Sequence, residues 1–398
     1  MLRKIPNSIS VHNLDKLYLE LDNCEHQIDL SLPSEIKSWD FGITTLLIQF
    51  FSTWVRSKAA GKIILGIKED NSDLESMVSL DVNFPAIIMS WDKGIIDGDS
   101  ANIKSKVRLI NEAIIKSMLS LENLPLFNKS FIPQKGFKSL LTCFDHLPAE
   151  KGLLGCFYSN KEFILSENTL ADTLEETLTY ILSFNSQSAK VIKPIKRDLI
   201  EIIYELMKNT HDWGRTDISN KALNPNVRGT YIKFIKKNKN LFIENYGDHL
   251  GFQSYFNGLQ PSKNNELYFI EISVFDSGVG FVEKYSGKPS NTFTSSQQVD
   301  IIKECLIKNN TSDQTLAKYN KGLGLDRIMQ ILDKKGLFFI RTSNVFVARN
   351  MKDNHYMATK KKEEIELFDF KTYSSKDYTY HSKSVGSSIT IVYPLPID

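Results

Sequence analysis

The segment from Asp198 to Asp212 constrains this chain more than any other. Leu199, Ile202, Ile203 and Leu206 recur at the spacing of a helix with one buried face. Asp198, a few residues after Pro194, is placed to cap its start. At about 100° per residue, Glu205, Asn209 and Asp212 fall within roughly 60° of one another beside the apolar face. A polar stripe so placed can look into a cleft while the helix stays anchored in the core. Taken alone, the pattern is more often a solvated helix flank.

Three further segments change that weighing. Leu267 to Phe275 reads as a strand whose even positions, Tyr268, Ile270, Ile272 and Val274, share one face, and Asp276 continues that face before Ser277-Gly278-Val279-Gly280. A carboxylate on the core side of a strand end costs free energy unless it meets a donor, and an adenine amino group would be one. Gly278 and Gly280 would let backbone approach a base or sugar closely, although such a turn also closes many ordinary hairpins. Next, Lys321-Gly322-Leu323-Gly324-Leu325 runs into a helix carried by Leu325, Ile328, Met329 and Leu332 and stopped at Gly336. Free backbone N–H groups at such a start suit phosphate, and Lys321 and Arg327 add charge there. Last, Gly386-Ser387-Ser388 precedes a terminal strand, Ile389 to Pro394.

In this order the four segments resemble the GHKL, or Bergerat-fold, ATPases: gyrase-type topoisomerases, the heat-shock chaperone ATPase, mismatch-repair ATPases and sensor histidine kinases. Each match is weak and four in sequence are strong; together they cover roughly residues 190 to 398, about half the chain. The resemblance implies a C-terminal α/β-sandwich with a mixed, mainly antiparallel sheet covered by helices, and Mg²⁺ and ATP as cofactors. It makes Glu205 the general base for water, Asn209 the Mg²⁺ ligand and Asp276 the partner of the adenine amino group. Gly278 and Gly280 would shape the nucleotide turn, Lys321, Gly322, Gly324 and Leu325 the phosphate edge, and Ser387 or Ser388 would stand near the site. Asp212, three residues after Asn209, is similar to the hydrolysing branch and favours water as the phosphoryl acceptor. Two features depart from the family. Trp213 stands where a small residue is usual, and the long interval from Asn209 to Asp276 must hold an insertion, residues 214–262.

Within that insertion, Tyr231 to Lys239 alternates aromatic and basic residues, as in a lysine-protected hairpin edge or, less readily, a nucleic-acid surface. Residues 281–321 take the family's lid position. Ser286 to Ser296, rich in Ser, Thr, Asn, Gly and Pro, is expected to be mobile without ligand.

The first half reads as an α/β domain, residues 1–121. His26 to Leu32 alternates as a strand, Phe41 to Lys58 has helical spacing, and Lys62 to Ile67 is a short buried strand, which suggests a parallel βαβ unit. Another strand is expected at Ala86 to Met89 and a helix from about Ser100 to Leu121. This order is similar to STAS-like domains. Residues 122–165 look like a loop-rich connection, and Leu170 to Phe184 like a linker helix within 122–189.

The whole-chain numbers are permissive. With 49 basic and 47 acidic residues in 398, no global field calls for nucleic acid, though a local basic patch stays open. Cys24, Cys143, Cys156 and Cys305 show no zinc or redox spacing. Phe41 to Val55 is too short to span a bilayer, and no signal peptide is recognisable, so a cytoplasmic location is expected. The expected partners are ATP, a protein and, by nucleotide-driven association, a second copy as a homodimer. The leading expectation is a slow Mg-ATPase; a protein kinase of the anti-sigma serine type or histidine kinase-like, and a nucleotide sensor without turnover, remain alternatives.

Overall fold

The computed structural model describes residues 1–38, 40–66, 71–119, 138–164, 166–182, 188–307 and 324–395. Its first part is a parallel sheet of four strands, β1 (Leu2–Lys4), β2 (Ile28–Ser31), β3 (Ala60–Leu65) and β4 (Ile95–Asp97), in that spatial order. The connecting helices are α1 (Val11–Asp22), α2 (Ile43–Arg56), and α3 (Asn71–Val78) with α4 (Asn83–Met89); α5 (Lys104–Leu119) follows β4. The βαβ unit read from residues 26 to 67 is β2, α2 and β3, with Ile67 outside the described residues.

The strand expected at Ala86 to Met89 is instead α4. Every residue of that segment is buried, and a short run that is apolar all round carries no period to separate strand from helix. The Asn83 side chain decides it locally, donating to the carbonyls of Pro33 and Met77, each at 2.8 Å.

The second part adds β5 (Lys138–Cys143), a short hairpin of β6 (Tyr158–Ser159) and β7 (Glu162–Phe163), α6 (Glu167–Leu182), α7 (Ser188–Trp213) and β8 (Arg228–Asn238). Then come α8 (Lys239–Asn245), α9 (Leu250–Gly258), β9 (Glu266–Asp276), α10 (Phe281–Ser286), α11 (Ser295–Leu306) and α12 (Gly324–Leu332). The chain closes with β10 (Leu337–Ser343), β11 (Val345–Asn350), β12 (Phe368–Asp369) and β13 (Ser384–Pro394). Seven of these strands form one sheet in the order β12-β11-β10-β13-β9-β8-β5. Every pairing in it is antiparallel, so the parallel component of the fold lies wholly in the smaller sheet.

Two expectations change here. Lys138–Cys143, inside the presumed loop-rich connection, is the edge strand of the large sheet. Because it pairs with β8, the lysine-bearing strand is interior rather than a hairpin edge, and only its far end, around Lys236, reaches solvent. The segment 214–262 therefore supplies a central strand as well as loops.

Helix α7 begins at Ser188, ten residues before the expected cap, and runs through Pro194. Proline removes the bond to the carbonyl four residues back. Lys190, Lys193 and Pro194 are exposed, so water can take that carbonyl. Asp198 is thus mid-helix, accepting from Lys335 Nζ and the Tyr393 hydroxyl, both at 3.1 Å.

β9 alternates as read: Ile270, Ile272, Val274 and Asp276 face α7, and Phe269, Glu271 and Ser273 face α2. Both faces are buried, which explains the nearly continuous apolar run. Helix α2 lies between the two sheets. Trp54 Nε1 donates to the Ile28 carbonyl of the small sheet at 2.9 Å, and Thr45 Oγ1 meets Ser388 Oγ of the large one at 2.9 Å. Gly42 begins α2 at φ +75°, and a β-carbon there would stand 2.5 Å from Thr390 Oγ1, so both the backbone and the space require glycine. Its N–H donates to the buried Glu271 carboxylate at 3.1 Å. One apolar cluster runs through both parts, from Ile5 to Leu395.

Of residues 281–321, the lid position expected from the sequence, 281–307 are described and carry α10 and α11, and 308–321 lie outside the described residues. Ser290 donates its N–H to Glu283 at 2.9 Å and its hydroxyl to Asn344 at 3.1 Å, and Thr294 and Gln297 form a capping box on α11. Ser286 to Ser296 thus makes bonds to α10, to the start of α11 and to Asn344 in the turn between β10 and β11. Among the described residues, no helix is long and apolar enough to cross a membrane.

Candidate functional site

The end of β9 sits between two neighbours in register, Ser387 on β13 and Arg228 on β8, both opposite Asp276. Over this point lies the last turn of α7, and across from it the first turn of α12. Between them is a cleft of about 840 Å³, counting its open mouth. Asn209, Asp276, Gly280, Gly324, Leu325 and Ser387, all singled out in the sequence, line it. Leu206, Val274 and Ile389 make its apolar wall.

Glu205 stands one turn before Asn209 at the α12 end. A β-carbon on Gly324 would lie 2.6 Å from Glu205 Oε2 and 3.3 Å from Asn209 Nδ2, so the glycine brings the α12 start directly against both polar groups. Arg327 fixes this contact by pairing with Glu201, one turn before Glu205. Burial raises the Glu205 pKa above the ordinary range; Lys208 draws it back, and Glu167 and Glu201 push it further up. A half-buried carboxylate with a raised pKa is a stronger base than a solvated one.

At the other end, Asp276 Oδ1 accepts the Gly278 N–H at 2.7 Å, which curls the turn back on itself. Burial raises the Asp276 pKa to about 6, against the lowering effects of the Gly278 N–H, Arg56, Arg228 and the Ser387 N–H. Gly280 has φ +86°, and a β-carbon there would stand 2.6 Å from Thr342 Oγ1. The Thr342 hydroxyl in turn meets Ser387 Oγ at 3.1 Å and accepts the Phe281 N–H at 3.2 Å.

Of the predicted residues, Glu205 lies against Gly324 without itself lining the cleft, Gly278 acts through its bond to Asp276 rather than on the cleft wall, and Asp212 lies half-buried on the final turn of α7, off the lining. Lys321 and Gly322 fall outside the described residues.

Several lining residues were not read as site residues, Trp213 among them although it was noted as a departure from the family. Trp213, Phe281 and Tyr285 supply aromatic surface, and Lys284 adds a cation whose Nζ donates to Thr216 Oγ1 at 2.8 Å, the Asp217 carbonyl at 3.1 Å and Asn220 Oδ1 at 3.2 Å. Burial lowers the Lys284 pKa, with Asp217 opposing. The small residue expected at 213 is found one place later. Gly214 packs on Asp276, where a β-carbon would be 2.8 Å from Asp276 Cβ, and its position just after a helix was the available signal.

Beside the cleft, α7 is anchored by a buried polar group. Arg228 holds Asp145 through two bonds, of 2.8 and 2.9 Å, and also donates to the Tyr158 hydroxyl, which meets His211 Nδ1 at 2.8 Å.

No protein-family model matches the chain, and no curated protein or solved structure matches it either.

Proposed function

We propose that this protein binds and hydrolyses Mg-ATP as a GHKL-type ATPase. The observation that carries the reading is the convergence on one cleft of Asn209, Asp276, Gly280, Gly324 and Ser387, from four segments far apart in sequence. The cleft's apolar wall, with a carboxylate at its floor, suits a planar base carrying a polar group. Asp276 accepts at its floor, and Gly324 is small enough to bring backbone N–H groups at a helix start beside Asn209. The residues present therefore fit the nucleotide.

In this reading Asp276 accepts from the adenine amino group and the Gly280 turn takes the sugar side. Gly324 and Leu325 bound the phosphates at the α12 dipole. Asn209 would hold Mg²⁺ with phosphate oxygens as the other ligands; among the described residues no three His, Cys, Asp or Glu side chains converge on a metal. The metal would neutralise phosphate charge. Glu205 accepts a proton from the attacking water and orients it. Movement of α10 and α11 with nucleotide state would change the surface offered to a protein partner or a second copy.

The test is phosphate release and protein labelling from γ-labelled ATP by the purified chain and its Glu205→Ala form. Free phosphate lost with Glu205→Ala supports hydrolysis. Unchanged release by the variant removes the assignment, and label retained on protein replaces it with a kinase.

A further inference from the structure

Arg56, in the last turn of α2, ties the amino-terminal part to the cleft. Its guanidinium donates to the Ser277 carbonyl, to Ser277 Oγ at 3.3 Å, and to the Pro225 carbonyl at 2.5 Å. Ser277 is the residue between Asp276 and Gly278, and its hydroxyl also accepts the Val227 N–H at 2.9 Å. Three residues earlier on α2, Thr53 Oγ1 accepts the Val385 N–H at 2.9 Å. Val385 precedes Gly386, which has φ +69° and packs so closely under Asp276 that a β-carbon would stand 1.9 Å from the Asp276 carbonyl oxygen. One turn of α2 thus grips both chain segments that meet beneath the acceptor carboxylate.

The acceptors on Arg56 are neutral oxygens from two different loops, a pattern that suits the guanidinium fork and that a point charge could not reproduce. Burying a cation among such oxygens is costly, and apolar packing of α2 does not require it. Burial lowers the Arg56 pKa to about 10, with Asp276 opposing.

We propose that Arg56 is a positioning residue for the nucleotide turn, locking Ser277 to the Pro225 loop so that base recognition by Asp276 depends on helix α2. The proposal rests on the ATP reading of the cleft. It makes the amino-terminal sheet part of the nucleotide machinery, because Arg56 is carried on the helix that this sheet covers.

The experiment compares full-length protein with Arg56→Gln and Arg56→Lys, by hydrogen–deuterium exchange over 274–281 without ligand and by ATP hydrolysis kinetics. Arg56→Gln should speed exchange at Gly278 to Gly280 and raise the KM for ATP, each about tenfold, for the loss of charge-assisted bonds. It should leave kcat and exchange in β1 to β4 unchanged; general structural damage would instead lower kcat and loosen β1 to β4 as well. Arg56→Lys, which keeps the charge but not the fork, should fall between. Wild-type exchange and KM in Arg56→Gln overturn the proposal; if that variant does not fold, wild-type values in Arg56→Lys do so. If the parent neither binds nor hydrolyses ATP while Arg56→Gln still loosens 277–280, the tether stands and the ATP reading fails.

Discussion

Gly324 lies against Glu205 so closely that a single added methyl group would stand 2.6 Å from the carboxylate oxygen. The first turn of α12 and the polar stripe of α7 are therefore one assembly. Gly324→Ala should displace Glu205, and a shift on the order of 1 Å at a catalytic group costs about 100-fold in rate. Alanine suits a helix, so the melting temperature should hold. Steady-state phosphate release with a parallel thermal melt checks this, and normal turnover would contradict the placement of Glu205.

Asp276 sets a pH dependence. Its folded pKa of about 6 lies above the unfolded aspartate value of about 3.9. The folded state without ligand therefore holds the extra proton between those values, and this group's contribution to stability falls as pH rises through that window and is level above it. ATP binding runs the other way, since the ionised carboxylate is the stronger acceptor. Calorimetric titration should find affinity falling as pH drops from 8 through about 6, and a flat profile in Asp276→Asn.

Removing the charge of Asp145 should be severe. Its partner Arg228 has a fully buried side chain, and breaking such a pair on one side costs about 3–5 kcal/mol. Asp145→Asn should lower stability by about that much in denaturant unfolding. Burial opposes ionisation of Asp145, but Arg228, together with Arg215 and His211, outweighs it and lowers the pKa. The pair's contribution is then complete above the unfolded value and is lost as pH falls through the depressed one.

Phe41 stacks near Phe242, Tyr246, Phe252 and Phe256 and meets Phe269 edge-on at 5.6 Å. Phe41→Ala should cost about 3–5 kcal/mol. Because the apolar cluster is continuous, tryptophan fluorescence and far-UV circular dichroism should still report one transition, at lower denaturant.

What could be read in the sequence was local and periodic. The helix carrying Glu205 and Asn209, the strand ending at Asp276 and the helix opening at Gly324 each announced themselves by spacing, and the structure brings them to one cleft. What escaped depends on distant partners. Ala86 to Met89 is apolar on every side, so its state is set by Asn83 reaching Pro33 and Met77. Lys138 to Cys143 becomes a strand because β8 offers it an edge. Arg56 lies 221 residues from Ser277, and nothing near it in the chain hints at the contact.

Helix α2 touches one sheet through Trp54, the other through Thr45 and Thr53, and the loops at the end of that second sheet through Arg56. A helix shared in this way leaves no seam along which the chain can be divided. Grafted onto another protein, the carboxy-terminal half would arrive with Thr390, Ser388 and Glu271 stripped of their cover, so it is not a transplantable cassette.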